Sequence, residues 1–201
     1  MTDPAYRDPA PSDRAFGDVP SSDPAPGDPA PSDSAVIDPA SAEPAPTLTH
    51  VRSDGSAHMV DVSAKPVTAR AASAAGRVLL SPPAVAALRD GTVPKGDALA
   101  VARIAGLQAA KRTPDLIPLA HPIAVHGVEV DLDVADDGVD IRARVLTADR
   151  TGIEMEALTC VSVAALALID MVKAVDKHAR ITDVRVTAKS GGRSGDWEED
   201  P

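Results

Sequence analysis

Large aromatic side chains are almost absent from this chain, which has one Trp, one Tyr and one Phe in 201 residues. Tyr6 and Phe16 lie near the start and Trp197 lies near the end, so residues 47–196 contain none of the three. We therefore expect a core of Val, Leu, Ile, Ala and Met, which bury less surface than rings do. A flat heterocyclic ligand would be held by hydrogen bonds, backbone and aliphatic contacts rather than by stacking on a large ring.

Cysteine and long apolar runs are scarce as well. The single cysteine, Cys160, excludes a framework of intrachain disulfides. The longest apolar stretch, residues 161–172, is interrupted by Ser162 and Asp170 and is too short to span a bilayer. The first residues show neither the basic segment nor the apolar run of a secretory signal. These absences favour a soluble cytoplasmic protein with no membrane partner.

Proline and acidic residues are abundant at the start of the chain. An acidic residue recurs at every fifth position from Asp3 to Glu43, and residues 1–46 contain eleven of the nineteen prolines. We expect this Asp/Pro/Ala segment to be a disordered, solubilising tail. It carries −7 of the net charge of −10, so the rest is nearly balanced. The predicted organisation is a tail at residues 1–46, a folded domain at 47–197 and an acidic end at 198–201.

Hydrophobic periodicity predicts alternating strands and helices. We predict strands at residues 59–62, 67–80, 125–134, 139–148 and 181–188, helices at 81–90, 98–111 and 152–176, and a proline-rich loop at 113–122. Asp136-Asp137-Gly138 lies between two alternating segments, which indicates a hairpin. This order favours an α+β fold in which helices pack on one face of an antiparallel sheet.

The long apolar helix carries ionisable residues at both ends, where burial would be costly without compensation. Glu154 and Glu156 lie near its start, and Asp170 and Lys173 share a face near its end. A desolvated lysine beside an aspartate can exchange protons with a substrate, and an ordinary surface ion pair is the alternative. Glu156 and Asp170 are about 21 Å apart along the helix axis. One small ligand could contact both only at a site shared between subunits.

Other candidate residues lie in loops. His121 lies in the proline-rich loop, where its ring would be fixed as a hydrogen-bond donor or an acid. A structural or incidental histidine is the alternative. Lys95-Gly96-Asp97 and residues 189–196 place cations on glycine-containing loops, which suit a phosphate group or are simply solvated turns. No metal site is expected, because no histidine pair has ligand spacing and the cysteine is isolated. The near-neutral domain has no basic excess to support a nucleic-acid partner.

Seven segments, taken in order, form a recognisable set. They are HMVDVS at 58–63, KGD at 95–97, ARIAGLQAAK at 102–111, LIPLAHP at 116–122, GIEMEAL at 152–158, DMVK at 170–173 and AKSGGRSGD at 188–196. Together they closely resemble the cyclic pyranopterin monophosphate synthase family of molybdenum cofactor biosynthesis, over about residues 48–197. The resemblance implies a ferredoxin-like subunit and a homo-oligomer, a hexamer built as a trimer of dimers with active sites at the dimer interface.

The resemblance also implies a reaction and its residues. The family converts 3′,8-cyclo-7,8-dihydroguanosine 5′-triphosphate, a GTP-derived substrate, to cyclic pyranopterin monophosphate and pyrophosphate by acid/base rearrangement and cyclic phosphate formation. At matching positions, Asp170 is the acid/base residue and Lys173 and Lys95 are the catalytic lysines. The implied substrate-binding residues are Leu119, Ala120, His121, Glu154, Met155, Glu156 and, near the triphosphate, Arg70, Lys111 and Lys189. No tightly bound cofactor is implied, and Mg2+ can accompany the triphosphate.

The chain departs from the family pattern at two positions: Ala120 stands where Cys is frequent, and Arg193 stands where Lys is common. Two other functions remain open. A catalytically silent paralogue acting as a nucleotide- or pterin-binding assembly module would be expected to have lost a catalytic residue, and a generic phosphohydrolase would need a P-loop or metal cluster. The family's key residues are all present: Lys95, His121, Asp170 and Lys173.

Overall fold

The computed structural model describes residues 54–200, so the predicted tail at residues 1–46 lies outside the described residues. Within 54–200 the elements, in chain order, are β1 (Thr68–Leu79), α1 (Pro82–Arg89), α2 (Ala98–Ala110), α3 (Thr113–Leu116), β2 (Gly127–Val134), β3 (Gly138–Asp149), α4 (Glu154–Val172), β4 (Arg180–Ser190) and β5 (Trp197–Glu198).

The strands form one antiparallel sheet in the order β2-β3-β1-β4-β5. β1 lies between β3 and β4, and the β2–β3 hairpin pairs Val134 with Val139 around the predicted Asp-Asp-Gly turn. Helices connect β1 to β2 and β3 to β4, which is the split β-α-β arrangement of ferredoxin-like folds. The predicted α+β, ferredoxin-like fold is confirmed.

The core lies between the sheet and α4 and is built from small aliphatic residues. Alternate residues of β1 are buried, including Ala72, Ala74 and Val78. Gly76 continues this row, and a Cβ at Gly76 would lie 2.7 Å from Val161 Cγ1 on α4. Gly76 therefore lets the backbone of β1 lie close to α4, which gives dense core packing without large aromatic side chains. On the other face of the sheet the side chains are mostly polar and partly or fully exposed, as at Ser73, Arg77, Arg142 and Arg144.

Six of the predicted elements are confirmed to within two residues, and the exceptions have local causes. The strand predicted at 59–62 is wrong, because the segment is irregular. Asp61 Oδ1 accepts a hydrogen bond from Ser63 N at 2.8 Å, a side-chain turn that competes with strand pairing. The proline-rich loop contains the short helix α3, whose start accommodates Pro114 because the first turn needs no N–H.

The long helix ends four residues earlier than predicted. Lys173 is the C-cap of α4, and Asp176 lies in the following turn with its side chain buried. Its carboxylate accepts hydrogen bonds from Ser81 N at 2.6 Å and His178 N at 2.9 Å. These bonds tie the turn to the start of α1 and draw the chain away from the helix axis. The two-residue strand β5 is also absent from the prediction, since so short a segment has no periodicity to detect.

Among the residues described, α4 is long and apolar enough to cross a membrane by length and composition alone. In the fold it is the core helix: Val161, Ala164 and Leu168 are fully buried against the sheet and α2. Its apolar composition is accounted for by this packing.

Candidate active site

A charged cluster forms where the end of α4 meets the loop before α2. The carboxylate of Asp170 bridges two ammonium groups: Lys95 Nζ lies 2.7 Å from Oδ2, and Lys173 Nζ lies 2.8 Å from Oδ1. The Lys95 loop is held by Gly96, whose φ is +96°, and by Asp97, whose side chain accepts the N–H of Ala100 at 2.9 Å and caps α2. The three predicted catalytic residues therefore come together from different elements.

The electrostatics of this cluster hold Asp170 in its ionised form. Hydrogen bonds from Lys173 and then Lys95 lower the pKa of Asp170 to about 2. The side chains of Lys95, Asp170 and Lys173 are 40%, 55% and 60% exposed, respectively. The desolvation expected from the apolar sequence around Asp170 is therefore not present in a single subunit. In this state the carboxylate neutralises one lysine charge and orients both amines.

A cavity of about 430 Å3 lies at the other end of α4. It brings together six of the predicted substrate-binding residues: Leu119, Ala120, His121, Glu154, Met155 and Glu156. His121 Nε2 lies 2.8 Å from the carbonyl oxygen of Val60, which fixes the ring against the irregular segment before β1. Helix and loop residues separated by more than thirty positions thus share one concave surface.

The two glutamates in this cavity differ in their surroundings. Glu156 is only 3% exposed, and burial raises its pKa, with a further contribution from the charge of Glu154. Glu154 has a 32% exposed side chain, and its Oε1 lies 3.8 Å from Lys189 Nζ. The same helix turn therefore presents a buried carboxyl group and a partly solvated one.

A smaller, cationic cavity of about 150 Å3 adjoins the first and shares Glu154 with it. Arg70 and Lys189 line it. Arg70 Nε donates to the carbonyl oxygen of Asp149 at 3.1 Å, and Lys189 Nζ donates to Ser194 Oγ at 2.8 Å. Gly192 has φ of +82°, and a Cβ there would overlap the Arg70 guanidinium. Glycine lets this loop close against the arginine, in a setting that suits a phosphate group.

The structure separates one predicted residue from the others and adds two. Lys111 is the exposed C-cap of α2 and is not among the residues lining either cavity. Lys65 and Arg193 line the larger cavity and were not predicted as binding residues. Lys65 follows the HMVDVS segment by two positions, and Arg193 lies within the matched glycine-rich segment, so their positions in the sequence were the available signal.

Two further observations delimit the candidate site. A wider groove of about 690 Å3 crosses the opposite face of the sheet, but it contains none of the predicted site residues. Its charged side chains form ion pairs, Arg77 with Asp140 and Arg142 with Asp133.

Within residues 54–200, no group of three or more His, Cys, Asp or Glu side chains is placed to hold a metal ion.

Comparison with known proteins identifies the family of this chain. The model of the MoaC family matches residues 59–192. The chain belongs to the MoaC family. Among its relatives, the cyclic pyranopterin monophosphate synthase of Streptomyces avermitilis is 69% identical over 150 residues, which cover 75% of this chain and 88% of the relative. The enzymes of the same name from Streptomyces griseus and Corynebacterium efficiens are 70% and 57% identical over 75% of this chain and 85% and 97% of the relatives.

Proposed function

We propose that this MoaC-family protein converts 3′,8-cyclo-7,8-dihydroguanosine 5′-triphosphate to cyclic pyranopterin monophosphate and releases pyrophosphate. It is an enzyme of molybdenum cofactor biosynthesis, as its family and its relatives named cyclic pyranopterin monophosphate synthase indicate. The observation that carries the proposal is the Asp170 carboxylate bridging Lys95 and Lys173. This arrangement fixes two amines next to one another, ready to exchange protons with a bound substrate.

The proposed chemistry divides between the two ends of α4. Rearrangement of the purine-derived rings requires repeated proton transfers among nitrogen atoms, which suits Lys95 and Lys173 held by Asp170. Formation of the cyclic phosphate requires a sugar hydroxyl to attack the α-phosphorus while pyrophosphate leaves. Arg70 and Lys189 can stabilise the charge that develops on the phosphate oxygens. No tightly bound cofactor takes part in this proposal, and Mg2+ enters with the triphosphate.

A complete site on this proposal needs more than one subunit. The Asp170 cluster and the cavity around Glu156 lie at opposite ends of α4, about 21 Å apart along its axis. Large apolar side chains are also exposed on α2 and α4, namely Val101, Ile104 and Leu166. These observations support a homo-oligomer, a hexamer built as a trimer of dimers, in which the cluster of one subunit meets the cavity of another.

The substrate is a small molecule, and the MoaC family is not a family of membrane proteins. We propose a cytoplasmic location on this basis. No nucleic-acid partner enters this account.

The direct test is to incubate the purified full-length chain with the cyclised GTP intermediate. We expect cyclic pyranopterin monophosphate and pyrophosphate to appear in equal amounts. Binding of the intermediate without turnover would instead identify a silent paralogue acting as a binding module. Release of inorganic phosphate alone would identify a phosphohydrolase.

A further inference from the structure

The glycine-rich loop that joins β4 to β5, residues 191–196, is closed by a hydrogen bond between its two ends. Gly191 N donates to Oδ1 of Asp196 at 2.8 Å. Inside the loop, Gly195 N donates to the carbonyl oxygen of Gly192 at 3.3 Å. One carboxylate therefore connects the first and the last residue of the loop and sets the distance between them.

The glycine-rich loop carries or contacts three of the cations that surround the two adjoining cavities. Arg193, on the loop, lines the larger cavity. Ser194 Oγ accepts a hydrogen bond from Lys189 Nζ at 2.8 Å. Gly192 lies so close to Arg70 that a Cβ would overlap its guanidinium group. The positions of Arg70, Lys189 and Arg193 therefore depend on the conformation of this loop.

Local backbone preference does not fix the conformation of this loop. Gly191 and Gly192 both have φ of +82°, and a Cβ at Gly191 would overlap the carbonyl oxygen of Ala69. Side chains are thus excluded at both positions, but glycine populates this backbone region and several others about equally well. A contact from outside the glycine pair has to select the observed conformation. The hydrogen bond to Asp196 does so at Gly191.

Asp196 is itself held by β5, the strand that follows it. Trp197 on β5 pairs with Lys189 on β4. Glu199 then forms an ion pair with Arg185, whose Nε lies 2.8 Å from Oε1. Asp196 and β5 lie beyond residue 192, where the match to the family model ends. The last part of the described chain thus fixes the carboxylate against the loop.

We infer that Asp196 is a positioning residue, which holds the glycine-rich loop closed so that Arg70, Lys189 and Arg193 converge on the phosphate groups of the substrate. This inference rests on the proposed function, which supplies the triphosphate. Asp196 acts through the backbone of Gly191, which lines the cationic cavity. Its negative charge by itself repels an anion in that cavity. Its contribution to binding therefore comes from the geometry of the loop and opposes the effect of its charge.

The first test measures the Kd of inorganic pyrophosphate by calorimetric titration of the full-length wild type, Asp196→Ala and Asp196→Asn. Asparagine keeps a side-chain oxygen that accepts the Gly191 N–H but removes the charge. We expect Asp196→Ala to raise Kd roughly tenfold, because the loop loses the bond that closes it. Asp196→Asn should keep Kd within about threefold of the wild-type value. The direction is diagnostic, since loss of a repulsive charge alone would lower Kd in both variants.

The second test measures turnover of the cyclised substrate by the same proteins. We expect kcat/KM to fall roughly tenfold in Asp196→Ala and to stay within about threefold of wild type in Asp196→Asn. Exposed Glu198 on β5 supplies the matched control, since Glu198→Ala removes one negative charge two positions away without touching the loop closure. It should leave both kcat/KM and the Kd of pyrophosphate within about threefold of wild type.

If Asp196 serves only the stability of the β4–β5 hairpin, Asp196→Ala will lower Tm while the Kd of pyrophosphate stays at or below the wild-type value, and the inference will be wrong. An equal rise of Kd in Asp196→Ala and Asp196→Asn would also overturn it, because asparagine keeps the acceptor. So would a wild type that does not bind pyrophosphate. A wild type that binds pyrophosphate but forms no cyclic pyranopterin monophosphate would reject the proposed function, while the Kd values still decide the role of Asp196.

Discussion

Replacement of Lys95 by alanine should separate the chemistry of the Asp170 cluster from the stability of the fold. Lys95 lies in a loop with a 40% exposed side chain, and its partner Asp170 keeps Lys173 at 2.8 Å. A solvent-exposed ion pair contributes at most about 1 kcal/mol to the free energy of unfolding. A positioned proton donor or acceptor contributes about 10²- to 10⁴-fold to turnover. At 1.36 kcal/mol per tenfold, that corresponds to about 2.7–5.4 kcal/mol of transition-state stabilisation.

The assay measures product formation by Lys95→Ala with saturating cyclised substrate, beside urea unfolding of the same preparation. We expect kcat to fall at least about a hundredfold while the free energy of unfolding changes by less than about 1 kcal/mol. Arg89→Ala is the matched control: it breaks another exposed ion pair, with Asp136 at 2.8 Å, away from the site. It should leave kcat unchanged. A Lys95→Ala enzyme with kcat within a few-fold of wild type would refute the reasoning.

Three further predictions follow from the contacts around the core and the cluster. Asp170→Asn should lower kcat by about 10²-fold or more, measured by product formation, because the amide no longer holds both lysines by charge; unchanged kcat would contradict this. Gly76→Ala should reduce the free energy of unfolding in urea by about 1–3 kcal/mol, because the added methyl group meets Val161, with kcat preserved. Asp176→Ala should lower the free energy of unfolding by about 1–3 kcal/mol at pH 7, because the hydrogen bonds from Ser81 N and His178 N are lost. Those bonds lower the pKa of Asp176, so they stabilise the fold at neutral pH. The difference in free energy of unfolding between the variant and wild type should shrink as pH falls below about 3.9. A difference that stays constant down to about pH 2 would contradict the assignment.

Much of the fold could be predicted because its signals are local. The Asp136-Asp137-Gly138 turn and the alternation on either side of it identify the β2–β3 hairpin directly. The end of α4 could not be predicted in this way, because Asp176 leaves the helix to bind Ser81, which is 95 positions away. The segment at 59–62 has strand-like composition, but a side-chain turn at Asp61 determines its conformation.

The candidate site shows the same division between local and long-range information. The i,i+3 spacing of Asp170 and Lys173 predicts their pairing, whereas the approach of Lys95 depends on how α2 packs against α4. The family pattern groups Lys111 with the phosphate-binding residues, but in one subunit it lies outside both cavities. The burial that distinguishes Glu156 from Glu154 is a property of the packed domain, and the sequence shows only two glutamates two positions apart.

The measurement that tests the central claim most directly is complementation between two inactive variants. Lys95→Ala removes a group at one end of α4, and Arg70→Ala removes a group at the other. If each active site takes its cluster from one subunit and its cavity from another, half of the randomly mixed dimers are mixed and each has one intact site out of two. Co-expression in equal amounts should then restore about one quarter of the wild-type rate of cyclic pyranopterin monophosphate formation. A mixture that stays as inactive as either variant alone, although the untagged variant co-purifies with an affinity-tagged copy of the other, would contradict the account.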